Sequence, residues 1–425
     1  MDNSDAVGQS GDSGRMGPRR LRRSRRRFAL AAILLACVVA LALSEAVLRL
    51  FVPVTDVPFQ FWDPVVGPRR LPNQAGNYFS GASVRARYHF NTQGWNYPDD
   101  FSFARPAGTR RVCIVGDSYV EALQVNCDKQ MAVVLERLLS RPGRPVQCYP
   151  FGVSGYGTAQ EYQIIRHYAL DYAPDVVIVF FTSNDVYDAS PYLSPIDSAY
   201  ARYRLDASGE LERMPMTPWA PSGLRRFAAK FALARYTLIQ NRLLSPRRAT
   251  GPGGVTLREA SDDTREDQFP GIGMSQDERG KMSWLLVERL LSAAQSDCQA
   301  RGATLVVVYR GNLPEIEAAE GGPAYQPMTK ENDPYCLDQR IFEMGRDFLE
   351  PMAARLKIPY LDFTTALVDE VKSTGRPHNF SDDDHFNELG HAAAARAMAG
   401  LVEHIISGPD GERSQPPAPA ESPHR

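Results

Sequence analysis

The sequence predicts an α/β fold: a central parallel sheet of five strands, covered by helices on both faces and preceded by one membrane-spanning helix. Three observations carry this reading. From Arg110 onward, continuous apolar runs of strand length alternate with amphipathic helical stretches. One uncharged run of sixteen residues, Phe28 to Leu43, directly follows a basic cluster. Small and polar residues gather where the apolar strands end, and open parallel sheets form their sites at those ends. A chain of 425 residues with 43% hydrophobic content fits one large domain with appendages and an ample core.

The elements follow in order. Residues 1–27 are polar and end in RRLRRSRRR, which predicts a disordered basic tail on the cytoplasmic side. Residues 28–52 form the anchor. Sixteen helical residues span about 24 Å, and continuing to Val52 completes the ~30 Å of a hydrocarbon core. A basic flank before a single apolar helix keeps the amino terminus inside, so everything after it stands outside. That places a single-pass protein in the bacterial inner (cytoplasmic) membrane, with its main domain extracytoplasmic. Cleavage after Ala40-Leu41-Ala42, a twin-arginine reading of Ser24 to Phe28, and a poor lipobox ending in Cys37 remain open, and each of them also exports the domain.

Residues 53–109, rich in Pro, Gly, Asn and aromatics, read as a stalk that becomes a small β-rich addition. The main domain spans 110–408. RRVCIVGDS is its first strand run, KQMAVVLERLLS a helix stopped by Arg141-Pro142-Gly143, and VQCYPFGV the second strand. TAQEYQIIRHYALDY is the next helix and DVVIVFFTSND the third and most apolar strand. The alternation breaks over 186–275, an insertion long enough to serve as a lid. It resumes with a helix around ERGKMSWLLVERLLSAAQSDCQARG, the strand ATLVVVYRGN, a helix near RIFEMGRDFLEPMAARL, the strand IPYLDF and a last helix from about Asn387 to Ile406. Residues 409–425 are a Pro-rich disordered tail.

Composition excludes some functions. The formal net charge is -2, although eight arginines fall between Arg15 and Arg27, so bulk charge argues against nucleic-acid binding. The six cysteines (Cys37, Cys113, Cys127, Cys148, Cys298, Cys336) show no zinc spacing. A disulfide among Cys127, Cys298 and Cys336 is open, and its pairing is unassigned. No nucleotide-binding loop or flavin fingerprint is present, so no cofactor is expected.

Chemistry gathers at four places. The first strand ends in Gly116-Asp117-Ser118, the second in Gly152-Val153-Ser154-Gly155, the third in Thr182-Ser183-Asn184-Asp185, and Ser381-Asp382-Asp383-Asp384-His385 precedes the last helix. A serine on a tight strand-to-helix turn exposes its hydroxyl but needs a neighbouring base. A histidine three residues after an aspartate, on one loop, can have its Nδ1–H held by that carboxylate while Nε2 faces the serine. The D-x-x-H spacing alone prefers Asp382 over Asp383 and Asp384. The Ser118 and Gly155 N–H groups and the Asn184 amide suit a developing oxyanion. The acidic run could also be a solvated loop or a metal site, but divalent sites gather carboxylates from several segments. His391, His378, His167 and His89 read as surface or packing residues.

GDSYVEALQV, GVSGYGTAQE, TSND and DDDHFNELGH together resemble the four signature blocks of the SGNH (GDSL-like) hydrolase family, in order, over roughly Arg110 to Ile406. The resemblance implies a flavodoxin-like three-layer α/β/α fold. It also implies Ser118 as nucleophile, Gly155 and Asn184 as oxyanion donors, and Asp382 with His385 as the base pair. The third block departs from the pattern, with Thr182-Ser183 where a glycine usually stands. The blocks are also similar to those of anchored members in bacterial envelopes, some of which act on acylated polysaccharides.

The first expectation is therefore an extracytoplasmic serine esterase or deacetylase. Its substrate would be an acylated glycan or a small ester, with acetyl as the acyl group. An O-acetyltransferase using the same residues, and a non-catalytic binding scaffold, remain as alternatives.

Overall fold

Strand β1 (Arg110–Gly116) sits at the centre of the sheet and pairs in parallel with β2 (Val146–Gly152) and β3 (Val176–Thr182). Strand β4 (Thr304–Arg310) pairs with β3, and β5 (Tyr360–Asp362) closes the far edge. The order is therefore β2-β1-β3-β4-β5, all parallel, with the topological switch between β1 and β3. All seven residues of β3 are buried. That is why this strand is a continuous apolar run: both its faces meet helices.

This computed structural model describes residues 18–182, 184–193, 198–220, 223–240, 270–271, 273–311 and 345–408. Outside them lie residues 1–17 of the expected basic tail, the whole 409–425 tail, Ser183, Cys336 and much of the expected insertion.

Helices cover both faces. On one lie α1 (Met131–Leu139), α5 (Thr364–Thr374) and α6 (Glu388–Ser407); on the other, α2 (Thr158–His167), α3 (Gln276–Ala300) and α4 (Gly345–Leu356). Their starts follow from local chemistry. At α3 the Ser275 hydroxyl accepts from the Glu278 N–H, while the Glu278 carboxylate accepts from the Ser275 N–H. At α6 the Asn387 side chain accepts from the Leu389 and Gly390 N–H groups.

The register sets three strand ends level, with Gly116 opposite both Gly152 and Phe180. A Cβ on Gly152 would come within 2.1 Å of the Glu121 nitrogen, so only glycine lets β2 approach the turn after β1 this closely.

The amino-terminal helix runs unbroken from Pro18 to Phe51. It starts within the segment expected to be disordered, since residues 18–27 contain good helix formers and no breaker after Pro18. From Arg26 to Phe51 it is long and apolar enough to cross a membrane by length and composition.

Two antiparallel hairpins follow, Gln60–Asp63 with Gly67–Arg70 and Gln74–Ser80 with Val84–Phe90. They are keyed into the domain by charge. Asp63 accepts from the Val65 N–H and the Tyr168 hydroxyl and pairs with Arg69. The Arg69 guanidinium lies 4.5 Å from the Trp95 ring and 4.6 Å from that of Tyr168.

The described parts of the insertion take two directions. Residues 198–214 pack against the first hairpin and α2, where the Gln160 amide donates to the Ala201 carbonyl. Residues 223–240 reach the end of the amino-terminal helix instead. Cys113, Cys148 and Cys298 are buried free thiols, and Cys127 is free as well.

Candidate active site

Ser118 is the first residue of a four-residue helix, Ser118–Glu121, that leaves β1 directly. Asp117 caps it, accepting from the Tyr119 N–H at 2.9 Å. The same buried carboxylate accepts from the Thr182 hydroxyl and the Asn184 amide, which ties the Ser118 turn to the end of β3. The sequence pointed to Gly116-Asp117-Ser118 but gave Asp117 no role; an acid immediately before a helix start was the available signal.

The Ser118 Oγ lies 2.8 Å from the His385 Nε2. The two residues are 267 apart in the chain. The histidine sits on a short strand, Asp383–Phe386, that pairs with Asn379–Phe380. Its Nδ1 lies 2.6 Å from the Asp383 carboxylate and 3.3 Å from that of Asp384.

Asp382, which the spacing prefers, does not reach the imidazole. Its carboxylate accepts from the Ala82 N–H, the Ser83 N–H and the Ser83 hydroxyl, at the tip of the second hairpin. The reason is backbone periodicity. The expectation assumed a tight loop, but from Asp383 the segment is extended, and a strand puts residues two apart on one face. Asp383 and His385 share that face, and Asp382 falls outside it. The hairpin tip is shaped for Asp382: Gly81 has φ +51, and a Cβ there would lie 2.2 Å from the Asp382 carboxylate.

Burial would lower the His385 pKa, but the hydrogen bonds and charges of Asp383 and Asp384 outweigh it, and the imidazole is pushed up to about 9. Tyr119 steadies the same strand. Its hydroxyl donates to the Asp384 carbonyl at 2.8 Å, and its ring centroid is 5.1 Å from that of His385. The buried Arg310 guanidinium at the end of β4 stacks 4.5 Å from the Tyr119 ring and 5.0 Å from that of Phe386. His391 packs beneath, and burial, followed by the His385 charge, pushes it down to about 3.

Asp383, Asp384 and His385 also bring one metal-ligating atom each within 4.8 Å of one another. All three come from one short strand, and both imidazole nitrogens are already engaged, by Asp383 and Ser118.

On the oxyanion side, Gly155 stands in a turn with φ +80. Its N–H has no partner among the described residues. The Ser118 N–H opens a helix, where no intrahelical acceptor exists. Glu121 fixes the loop before Gly155. It accepts from the Ser154 N–H and hydroxyl, and its other oxygen pairs with Arg70 Nε at 2.5 Å. Arg70 and Glu121 were not singled out from sequence, because the pair spans 51 positions.

Asn184 stands at the predicted strand end, but both amide hydrogens are spent inward. They go to Asp117 at 3.1 Å and to Asp188 at 3.0 Å. Behind them lies a buried acidic cluster. Burial, then the Glu161 and Asp117 charges, hold Asp185 well above the carboxylate range. Burial, then Asp117 and Asp188, do the same for Glu161, whose oxygens have no hydrogen-bond partner. Asp188 is pushed up to about 8, chiefly by burial. The structure thus joins Ser118, His385 and Asp383, sets the Gly155 N–H free, and turns Asp382 and the Asn184 amide elsewhere.

Comparison with known proteins follows this geometry. The family model of GDSL-like lipases/acylhydrolases matches residues 114–393. No curated protein matches the chain. Among solved structures, an acetyl-xylooligosaccharide esterase from Geobacillus stearmophilus is similar at 12% identity, covering 72% of this chain and 97% of its own, with a TM-score of 0.36. A carbohydrate acetylesterase from Sinorhizobium meliloti is similar at 10% identity, covering 70% and 99%, with a TM-score of 0.35. The psychrotrophic esterase EstA from Pseudoalteromonas sp. is similar at 10% identity, covering 70% and 100%, with a TM-score of 0.36. The family match spans well over half of the chain and contains every signature block, from the strand that delivers Ser118 to the helix after His385. The chain belongs to the GDSL-like lipase/acylhydrolase family and is an ester-hydrolysing serine hydrolase.

Proposed function

We propose that this hydrolase is an extracytoplasmic esterase held at the membrane by its amino-terminal helix, with Ser118, His385 and Asp383 as its catalytic residues. The substrate is an acyl ester, acetyl on a cell-envelope glycan. The observation that carries the catalytic part is the continuous chain of short contacts, 2.8 Å from Ser118 to His385 and 2.6 Å from His385 to Asp383. Residues 26–51 support the anchor: an apolar helix whose apolar stretch is exposed, preceded by arginines.

The chemistry follows from the geometry. His385 Nε2 takes the Ser118 proton as Oγ attacks the ester carbonyl, and Asp383 holds Nδ1–H and stabilises the imidazolium. The Ser118 and Gly155 N–H groups receive the oxyanion. Asn184 joins them when an amide hydrogen is released from Asp188, which at neutral pH already favours its protonated form. His385 returns the proton to the departing alcohol, and a water repeats the sequence on the acyl-enzyme to release the acid.

The test is labelling of the full chain with a fluorophosphonate, beside Ser118→Ala and His385→Ala, with p-nitrophenyl acetate turnover as a second readout. Labelling that vanishes in Ser118→Ala sustains the reading. A folded wild-type chain that neither labels nor turns over ester would overturn it and favour a binding role.

A further inference from the structure

The insertion sends residues 223–240 back to the carboxyl end of the amino-terminal helix, far from the catalytic serine in sequence. The contact is specific. Glu45 accepts hydrogen bonds from the Ala232 and Leu233 N–H groups, both at 2.9 Å. Arg49 pairs with Glu45 and donates to the Lys230 carbonyl at 2.9 Å. Leu48, Val54 and Ala232 form a small buried cluster beneath, with Val52, Leu233 and Tyr236 against it.

This fixes a depth. If the helix spans a bilayer, the twenty residues from Phe28 to Val47 cover about 30 Å, so Glu45 and Arg49 lie at the outer boundary. A segment bonded to both side chains lies at that boundary too. There it presents Leu224, Phe227 and Phe231, which are 78%, 58% and 42% exposed. Leu224 and Phe227, three residues apart, share one side of the short helix Gly223–Ala228, and Phe231 follows that helix in extended conformation. The two phenylalanine rings meet edge to face at 5.3 Å. Leu50 and Phe51, at the end of the anchor, are 74% and 78% exposed. From Met214 to Gln240 the sequence has no acidic residue; Arg225, Arg226 and Lys230 stand among the apolar residues, while Arg235 is paired with Asp56. Exposed apolar side chains flanked only by cations are the composition of an interfacial segment on an anionic surface.

We propose that residues 224–231 are a second membrane contact, lying in the headgroup region beside the anchor with Leu224, Phe227 and Phe231 inserted. This rests on the reading of the amino-terminal helix as an anchor. The occupant is the lipid surface itself, because the anchor that meets this segment also holds it against that surface. The insertion is then a brace that fixes how the hydrolase domain stands on the membrane, which a single helix cannot do.

The test reconstitutes the full chain in vesicles of phosphatidylcholine and phosphatidylglycerol carrying a photoactivatable phosphatidylcholine. Adducts are mapped by peptide mass. Adducts on both 28–47 and 224–231 are expected, and Leu224→Glu/Phe227→Glu loses the second set by about tenfold while keeping the first. These side chains are exposed, so the variant leaves the core intact. Adducts confined to 28–47 overturn the brace and leave the anchor standing. Adducts on 224–231 alone sustain the contact and retire the anchor. Adducts on neither overturn both.

Discussion

The active site has two walls, and they are built differently. One consists of strand ends: Ser118 after β1, Gly155 after β2 and Asn184 after β3, held level by the register of the sheet and by Asp117. The other is the histidine strand, which meets the sheet through Phe386 packed on Phe180 and Arg310, meets the Ser118 helix through Tyr119, and is pinned by the hairpin tip at Ala82 and Ser83. The first wall draws on the buried core. The second contributes one residue, Phe386, to that core and is otherwise held by polar contacts, and the charges on it raise the pKa of His385.

The sharpest way to break this comparison is to remove one residue from each wall. Ser118→Ala and His385→Ala should each lower kcat by at least about ten-thousand-fold, and the double variant should be no worse, because the pair acts as one unit. Steady-state turnover of a chromogenic ester reads this, and His385→Ala activity within tenfold of wild type would sink the pairing.

Next, Asp383→Ala should cost about a thousand-fold in kcat, and Asp382→Ala only about tenfold through a loosened hairpin. The reverse ranking would mean that the family's D-x-x-H spacing holds in solution and that the strand pairing of the histidine does not.

A third experiment sharpens the electrostatics of the second wall. The free enzyme's kcat/KM should rise with pH to a midpoint near 9, because the raised imidazole must lose its proton to act as base. Asp383→Asn removes a charge that favours the imidazolium, so the midpoint should fall by about one unit or more. An unmoved midpoint would detach the titration from Asp383.

The smallest effect concerns stability. His385, raised from 6.5, contributes stability that is present below that value and is lost as pH climbs through about 9. Asp188, raised from 3.8 to about 8, is destabilising once ionisation is forced across that window. Both bind more protons folded than unfolded, so denaturant stability should decline from about pH 5 to 9. Asp188→Asn should flatten the decline between about pH 5 and 8, and an unchanged slope in Asp188→Asn would show that the carboxyl ionises freely.

The same contrast explains what could be read in advance. The sheet and the first wall were legible because apolar runs, small residues and one capping acid lie within a few positions of one another, as in Val112 to Ser118. The Arg110–Gly116 strand and the Ser118 turn stand where the pattern put them. The second wall was legible only in its histidine. Which aspartate serves it depends on whether three residues form a loop or a strand, and that is decided by Asn379–Phe380 and by a hairpin 300 positions away. Asn184 was placed by its strand end, yet its amide is directed by Asp188, whose burial no local pattern announces. The keying of the early hairpins through Arg69 and Arg70 was equally invisible, because each arginine finds its partner only after folding.

The hairpin that receives Asp382 has a consequence for timing. Its tip is among the first parts of the hydrolase region to be synthesised, and the histidine strand is among the last. Ribosomes release a chain from its amino end, and domains assemble in that order. A chain made only to its middle therefore has Ser118 but not His385. The proposed catalysis needs the carboxyl-terminal stretch, which also bonds a hairpin made some 300 positions earlier. A copy truncated before His385 would therefore lack the contact on which that proposal rests.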